Sequence, residues 1–307
     1  MKKIIFLLAV SIVVFNACKQ PAKRVNPMLN IIQDQDGDTI SVDDFLSVTF
    51  TEKTEDGKFI SGSYGYDERP TLMFREQSAF KGDFFDMLGY LSEGDSAQFK
   101  INTDSITNKM KRVLPSGIKG KYLIYNVKIN KVVSRGKLND SAYNAAIETY
   151  RKIANEQEMK NEATKLARYI SQNHLKLQQT PSGLKYLLIE KGLGPLPVKG
   201  DTVLVNYTAK TLTGKIFETS NVKIAQEAGI FKNEYPYVPA KIPVLAVNGD
   251  ALSGFMEAAT LFPKGSKVML VIPSKRAYGA ANHGMLEPYT PLVCDMEIVG
   301  VIYSKKK

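Results

Sequence analysis

Histidine and cysteine are almost missing from this 307-residue chain. His174 and His283 are the only histidines, Cys18 and Cys294 the only cysteines, and there is no tryptophan. Two isolated histidines supply neither a His-rich metal site nor a relay, and no nucleophile–histidine–acid set is visible, which places hydrolase chemistry last among the candidates. If Cys18 is spent on processing, Cys294 has no bridging partner, and the fold stands without disulfides even in an oxidising compartment. Cys294 lies in the alternating run Leu292-Val293-Cys294-Asp295-Met296, where a small buried apolar role is expected. Long apolar runs are missing too: Ile4 to Phe15, about twelve residues, is too short to span a bilayer.

That run has another use. Lys2 and Lys3 ahead of it form the charged start of an export signal, so residues 1–17 read as a signal peptide. Cys18 follows Phe15-Asn16-Ala17, which looks like a bacterial lipoprotein cleavage box with Phe15 in place of the usual Leu. The rival is ordinary cleavage after Ala17, but that enzyme prefers a small residue where Phe15 stands. Lipidation at Cys18 would tether the chain to a membrane by acyl chains, placing it in the bacterial cell envelope, periplasmic or outer-membrane associated. Residues 18–30, polar with Pro21 and Pro27, read as a flexible tether.

The remainder has the composition of globular protein, 44% hydrophobic and 23% charged, and enough length for two ordinary domains. Losing Lys2 and Lys3 lowers the formal charge of +10 by two. The excess gathers near Lys19, Lys23 and Arg24 and at Lys305 to Lys307, without interleaved aromatics. It suits solubility and attraction to anionic lipid, and no nucleic-acid partner is expected of an exported chain.

Two stretches repeat. Val48 to Lys58 matches Val205 to Lys215 at an offset of 157, each an alternating strand running into a Gly turn. Phe84-Phe85-Asp86-Met87-Leu88, Gly94-Asp95 and Phe99-Lys100-Ile101 match Phe255 to Ala259, Gly265-Ser266 and Leu270-Val271-Ile272, and Leu123 to Val127 matches Leu292 to Met296. Three matches in the same order indicate duplicated domains, at 31–135 and 180–303. Between them, residues 138–178 show helical spacing in Tyr143, Ile147, Tyr150 and Ala154, then Met159, Ala163, Leu166 and Ile170. Asp140 or Ser141 is the expected N-cap, and the stripe shifts near Asn155-Glu156, where a bend would fit. Such a stripe packs on its own domains or pairs two chains into a homodimer; the sequence leaves both open.

The motif that carries chemistry is Gly254-Phe255-Met256-Glu257-Ala258-Ala259, then Lys264-Gly265, an apolar strand ending in Ile272-Pro273, and Ala277-Tyr278-Gly279. With Ser182-Gly183-Leu184-Lys185-Tyr186 and Gly192-Leu193-Gly194 ahead of it, this segment resembles the FKBP-type peptidyl-prolyl isomerases of the Mip-like branch, over about Thr180 to Ile302. The resemblance implies an α+β fold: two FKBP-like domains, each an antiparallel half-barrel sheet wrapped on a short helix, joined by a long α-helical linker.

It also implies a pocket. Tyr207, Phe217, Glu218, Leu252, Phe255 and Tyr278 take the catalytic positions; Val244, Ala251, His283, Leu286 and Cys294 take substrate-binding ones. In the family, the backbone N–H at Leu252 and the phenol at Tyr278 donate to substrate carbonyls. Phe255 replaces the usual indole, Glu218 the usual Asp, and Val244 and Cys294 replace common Phe residues, so the expected pocket is wider and less aromatic. The bland alternative is that these side chains fill a small core, and for His283 that it is a solvated loop residue. In the first copy Tyr207 becomes Phe50, Phe217 becomes Ile60, Glu218 becomes Ser61 and Tyr278 falls on Thr107, which predicts an inactive relative. His174 is expected on the helix surface. For Asn221 to Lys241, an insertion beside the pocket, packing on the flank is preferred over contact with substrate.

The implied reaction is rotation about an X-Pro bond in unfolded or partly folded polypeptides. Amide resonance makes that rotation slow, and a catalyst must bind the twisted amide better than the planar one. This needs no cofactor and no metal. A chaperone or binding lipoprotein that uses the same fold with little turnover is the alternative.

Overall fold

The computed structural model describes residues 26–63, 69–112, 114, 118, 120–245, 253–283 and 286–304. Cys18, Ala251 and Leu252 lie outside them.

Strand alternation builds two antiparallel sheets. The first holds β1 (Leu29–Gln33), β2 (Phe45–Thr54), β3 (Phe59–Gly62), β4 (Thr71–Phe74), β5 (Ser96–Asn102) and β6 (Tyr122–Val133), with α1 (Phe84–Leu88) and α2 (Thr103–Met110) between strands. The second holds β7 (Gln178–Gln179), β8 (Lys185–Glu190), β9 (Thr202–Thr211), β10 (Ile216–Thr219), β11 (Ala240–Pro243), β12 (Lys267–Ile272) and β13 (Leu292–Ile302), with α4 (Val222–Glu227) and α5 (Gly254–Leu261). One runs β1-β5-β6-β2-β3 with β4 on β2; the other runs β7-β8-β12-β13-β9-β10 with β11 on β9. Setting aside β7, the two paths coincide strand for strand. The offset of 157 carries β2 onto β9 and β3 onto β10 residue by residue.

In β9 the inward set is Val203, Val205, Tyr207 and Ala209; from β13 come Leu292, Cys294, Met296 and Ile298, and from β12 Val268, Leu270 and Ile272. Because successive strand residues point to opposite faces, a one-residue slip would turn this whole set outward. Ala258 and Ala259 of α5 press into the concave side. The helix starts cleanly because the Ser253 side chain accepts the Met256 N–H. Gly254 is needed there: a Cβ would stand 2.9 Å from Ile272 Cγ2 and 3.2 Å from Leu184 Cδ1.

The helix α3 (Asp140–Gln172) links the sheets without a break at Asn155-Glu156; its 33 residues reach about 50 Å. Asn139, one residue before the expected N-cap, accepts the Ala142 N–H. At the other end Leu175 N–H donates to Ile170 O and His174 takes φ 52°, a Schellman stop. His174 therefore lies just past the helix and not on its face. The stripe is used at both ends. Tyr143, Ile147 and Tyr150 pack with Phe45, Leu72 and Val133; Leu166 and Tyr169 pack with Val271, Val293, Leu212 and Met269 on the outer face of the second sheet.

The first sheet closes on a polar cluster. Glu52, whose side chain is 2% exposed, is gripped by Arg112 through Nη1 at 2.7 Å and Nη2 at 2.8 Å, and accepts hydrogen bonds from Tyr125 and Ser61 at 2.5 Å each. Burial alone would raise the Glu52 pKa, but these hydrogen bonds and the Arg112 charge outweigh it and hold the carboxyl below its ordinary value. A depressed pKa stabilises the fold above the unfolded-state value and loses that contribution as pH falls through the folded one. In urea titrations from pH 7 to 3, the first domain is expected to lose stability below about pH 4.5. Glu52→Gln should flatten this slope and cost about 2 kcal/mol at pH 7, since a half-exposed Arg112 stays partly hydrated.

Candidate functional site

At one end of the second sheet four half-buried aromatic rings stand over the core. Tyr207 meets Phe255 edge to face with ring centroids 5.1 Å apart, and Phe217 meets Tyr278 the same way at 6.5 Å. Val244, Leu286 and Cys294 belong to the buried cluster beneath these rings, while all four aromatic rings stay half-buried against it. Core filling and pocket lining thus hold together, because the inner face of β9 and β13 serves both.

Polar groups are few and placed on one side. Tyr207 Oη donates to Glu218 Oε1 at 2.6 Å and lies 3.1 Å from Tyr235 Oη. Burial first, and then the hydrogen bonds to Glu218 and Tyr235, push the Tyr207 phenol far above the usual tyrosine range, so it stays protonated. The Tyr278 phenol is also raised, by burial and then by the Glu218 and Cys294 charges. Among the described residues no hydrogen bond is made by the Tyr278 hydroxyl. Its ring stacks on His283 at 4.0 Å and 12°, and His283 is exposed and tied to Leu286 by a pair of backbone hydrogen bonds of 3.0 Å. The candidate residues Tyr207, Phe217, Glu218, Val244, Phe255, Tyr278, His283, Leu286 and Cys294 therefore come together; Ala251 and Leu252 lie outside the described residues.

Sequence reasoning missed Tyr235. The insertion runs through α4, capped by Asn221, and then folds its aromatics on themselves: Phe231 stacks on Tyr237 at 5.4 Å, and Tyr235 meets Tyr237 at 4.9 Å. The expectation of flank packing is corrected at Tyr235, whose hydroxyl reaches the pocket through Tyr207. Nothing local marks this residue, since its partner is 28 positions away. A separate groove of about 550 Å³ lies between α4, Tyr237 and the outward residues Asn206, Thr208, Asp295 and Glu297. Tyr207 lines this groove as well.

The first sheet shows what the same place looks like when filled. Phe50 and Phe84 keep the aromatic pair at 5.5 Å. Opposite each other, where β9 and β13 put Ala209 and Cys294, β2 and β6 put Glu52 and Tyr125. The Tyr125 ring stacks on Phe99 at 5.4 Å and sits 5.5 Å from Phe84, occupying the space. Thr107 is exposed and bonds the Thr103 carbonyl of its own helix, so no phenol stands at the position matched to Tyr278.

Cys294 offers a probe of the pocket. It is 1% exposed, and burial, followed by the Asp295 and Glu218 charges, raises its thiol pKa. In a Cys18→Ser chain, a disulfide reagent at pH 8 is expected to label Cys294 at least about 100-fold more slowly than in 6 M urea, tracking opening of the domain. Labelling at the unfolded rate would mean that the pocket floor is open.

Residues 194–299 match the family described as FKBP-type peptidyl-prolyl cis-trans isomerase. The FKBP-type 22 kDa peptidyl-prolyl cis-trans isomerase of Escherichia coli K12 is 33% identical over 138 residues, covering 44% of this chain and 59% of that protein. FkpA of the same strain is 30% identical over 125 residues, covering 41% and 40%. The outer membrane protein MIP of Legionella longbeachae is 29% identical over 205 residues, covering 66% and 76%. The chain thus spans only 59% and 40% of the lengths of the first two. The crystal structure of E. coli FkpA, 25% identical, covers 54% of this chain and 74% of its own, with a TM-score of 0.38. Over residues 194–299 the chain is similar to the FKBP-type peptidyl-prolyl cis-trans isomerase family.

Proposed function

We propose that this protein is a peptidyl-prolyl cis-trans isomerase that assists protein folding outside the cytoplasm. Its domains are taken as 31–135, the linker 138–178 and the isomerase domain 180–303, with the chain held at the cell envelope by a lipid on Cys18. The relative named as an outer membrane protein supports that address. The observation that supports the activity is the Tyr278 hydroxyl, which bonds to none of the described residues, beside the half-buried rings of Phe217, Tyr207 and Phe255.

The chemistry follows from binding. A planar X-Pro amide is the more dipolar form and loses more when water is removed, so an apolar pocket favours the twisted one. Phe255 and Tyr207 hold the prolyl ring by shape, and Tyr278 donates to a substrate carbonyl. Tyr207 and Glu218 keep their own polar atoms satisfied, so that wall stays ordered without competing for substrate. The first domain, its pocket filled by Tyr125, serves as a spacer or binding module.

A second reading, a chaperone or binding lipoprotein with little turnover, is favoured by that filled first copy and by Val244 and Cys294 in place of larger aromatics. A homodimer through the linker is supported by Ile153 and Met159, 60% and 48% exposed at mid-helix. Sedimentation of the full chain is expected to show a dimer that Ile153→Lys with Met159→Lys dissociates; a monomer at all concentrations refutes it.

A protease-coupled assay on proline tetrapeptides separates the two readings. The full chain is expected to exceed its Phe255→Ala, Tyr278→Phe double variant at least about 10-fold in kcat/KM, the effect of one lost hydrogen bond and one pocket wall. Equal turnover, together with aggregation suppression that survives the double substitution, would favour the chaperone.

A further inference from the structure

Tyr278 sits on a loop that the isomerase domain does not hold alone. Strand β12 ends at Ile272-Pro273, and a single 3-10 turn, Ser274–Arg276, follows. The Ser274 carbonyl accepts from Ala277 N at 2.8 Å and from Gly279 N at 2.9 Å, the two residues that flank Tyr278. Where Ser274 sits therefore decides where the phenol points. From inside the domain the turn is tied by Arg276 Nη2 to Glu257 Oε2 of α5 at 2.6 Å.

From outside, both oxygens of Glu162 are committed to the same turn. Oε1 accepts the Ser274 N–H at 2.6 Å and Oε2 accepts the Ser274 hydroxyl at 2.5 Å. Glu162 belongs to the linker helix α3. It lies four and seven residues before Leu166 and Tyr169, which dock the helix on the outer face of the second sheet, so the apolar contact also aims the carboxylate. The far end of the loop is held in the same way. Tyr289 N–H donates to the Gly279 carbonyl at 2.6 Å, and the neighbouring Pro288 carbonyl accepts from Arg69 Nη2 of the first domain at 2.7 Å. Arg69 is itself ion-paired at 3.3 Å with Glu158 of α3, which also pairs with Lys165.

We propose that Glu162, seconded by Arg69, is a positioning residue for the isomerase reaction: the linker and the first domain hold the Tyr278 loop in its working geometry. This rests on the reading of the pocket as an isomerase site. It gives the catalytically empty half of the chain a part in catalysis, since a misplacement of about 1 Å is enough to cost a large factor in rate. It also makes the isolated domain 180–303 a poorer enzyme than the whole chain.

The test uses the full chain with Glu162→Ala, Glu162→Gln, Ser274→Ala and Arg69→Met, each alone and combined with Tyr278→Phe. Assays are read per folded molecule from a parallel urea titration. Glu162→Ala is expected to lower kcat/KM about 10-fold in the wild-type background and less than about twofold beside Tyr278→Phe, because residues acting through one group are not additive. Glu162→Gln, which still accepts one hydrogen bond, should recover most of the loss. Ser274→Ala, which keeps the backbone bond, and Arg69→Met should each lose less. Equal losses in both backgrounds, or none in the first, would overturn the proposal.

A second measurement is independent of turnover. Hydrogen exchange at the Ala277 and Gly279 amides is expected to quicken at least about 10-fold in Glu162→Ala while the β12 and β13 ladder is unchanged. Unchanged protection there overturns the positioning role. A wild-type chain that turns over no faster than the Phe255→Ala, Tyr278→Phe variant fails the isomerase reading instead, with the exchange result still deciding whether Glu162 orders the loop.

Discussion

The period-two alternation of the central strand pair, β9 against β13, is the constraint on which the rest depends. One inward set has to do two jobs. Val203, Val205 and Ile298 close the buried part of the half-barrel, and Tyr207, Ala209, Cys294 and Met296 continue the same rows to its open end. A sheet that wraps a helix as short as α5 cannot cover the last turn of its own concave face. Over these rows the rings of Tyr207, Phe217, Phe255 and Tyr278 pack half-buried. The pocket is a consequence of the fold's geometry before it is a consequence of any single residue.

The first sheet has the same frame with a different filling, and the contrast shows how small the difference is. Exchanging the facing pair Ala209 and Cys294 for Glu52 and Tyr125 puts a phenol ring into the space and a carboxylate beside it. A lone buried carboxylate would be costly, so Arg112 and Ser61 complete its hydrogen bonds. The cluster must be complete to be tolerated, and complete it fills the space between Phe84 and Phe99. The concave face of this copy is therefore closed by packing, reached through polar residues.

The linker helix joins these two halves by more than length. Its apolar stripe is split, with Tyr143 and Ile147 serving the first sheet and Leu166 and Tyr169 the second. Polar residues on the same faces are then carried to fixed places, and Glu162 and Glu158 land at the loop that bears Tyr278. The two ends of the stripe are spent within one chain, and Ile153 and Met159 stay exposed between them.

Much of the candidate site could be read from residue order. Phe255, Glu257 and Tyr278 stand at spacings set by one helix turn, one Gly turn and one strand, and Tyr207 and Phe217 stand on a hairpin whose alternation is visible by eye. Cys294 as a buried apolar residue followed from its strand. Tyr235, Arg112, Arg69 and Glu162 did not, because each acts on a partner 28 to 219 positions away and no local period records such a meeting. The sequence by itself determined the strands, the duplicated order and the long helix, since these rest on alternation and helical spacing between near neighbours. Only the tertiary structure decided that Glu52 and Tyr125 fill the first sheet where Ala209 and Cys294 stand in the second, and that the linker grips the Tyr278 loop, because those outcomes depend on which side chains meet once the sheets have closed.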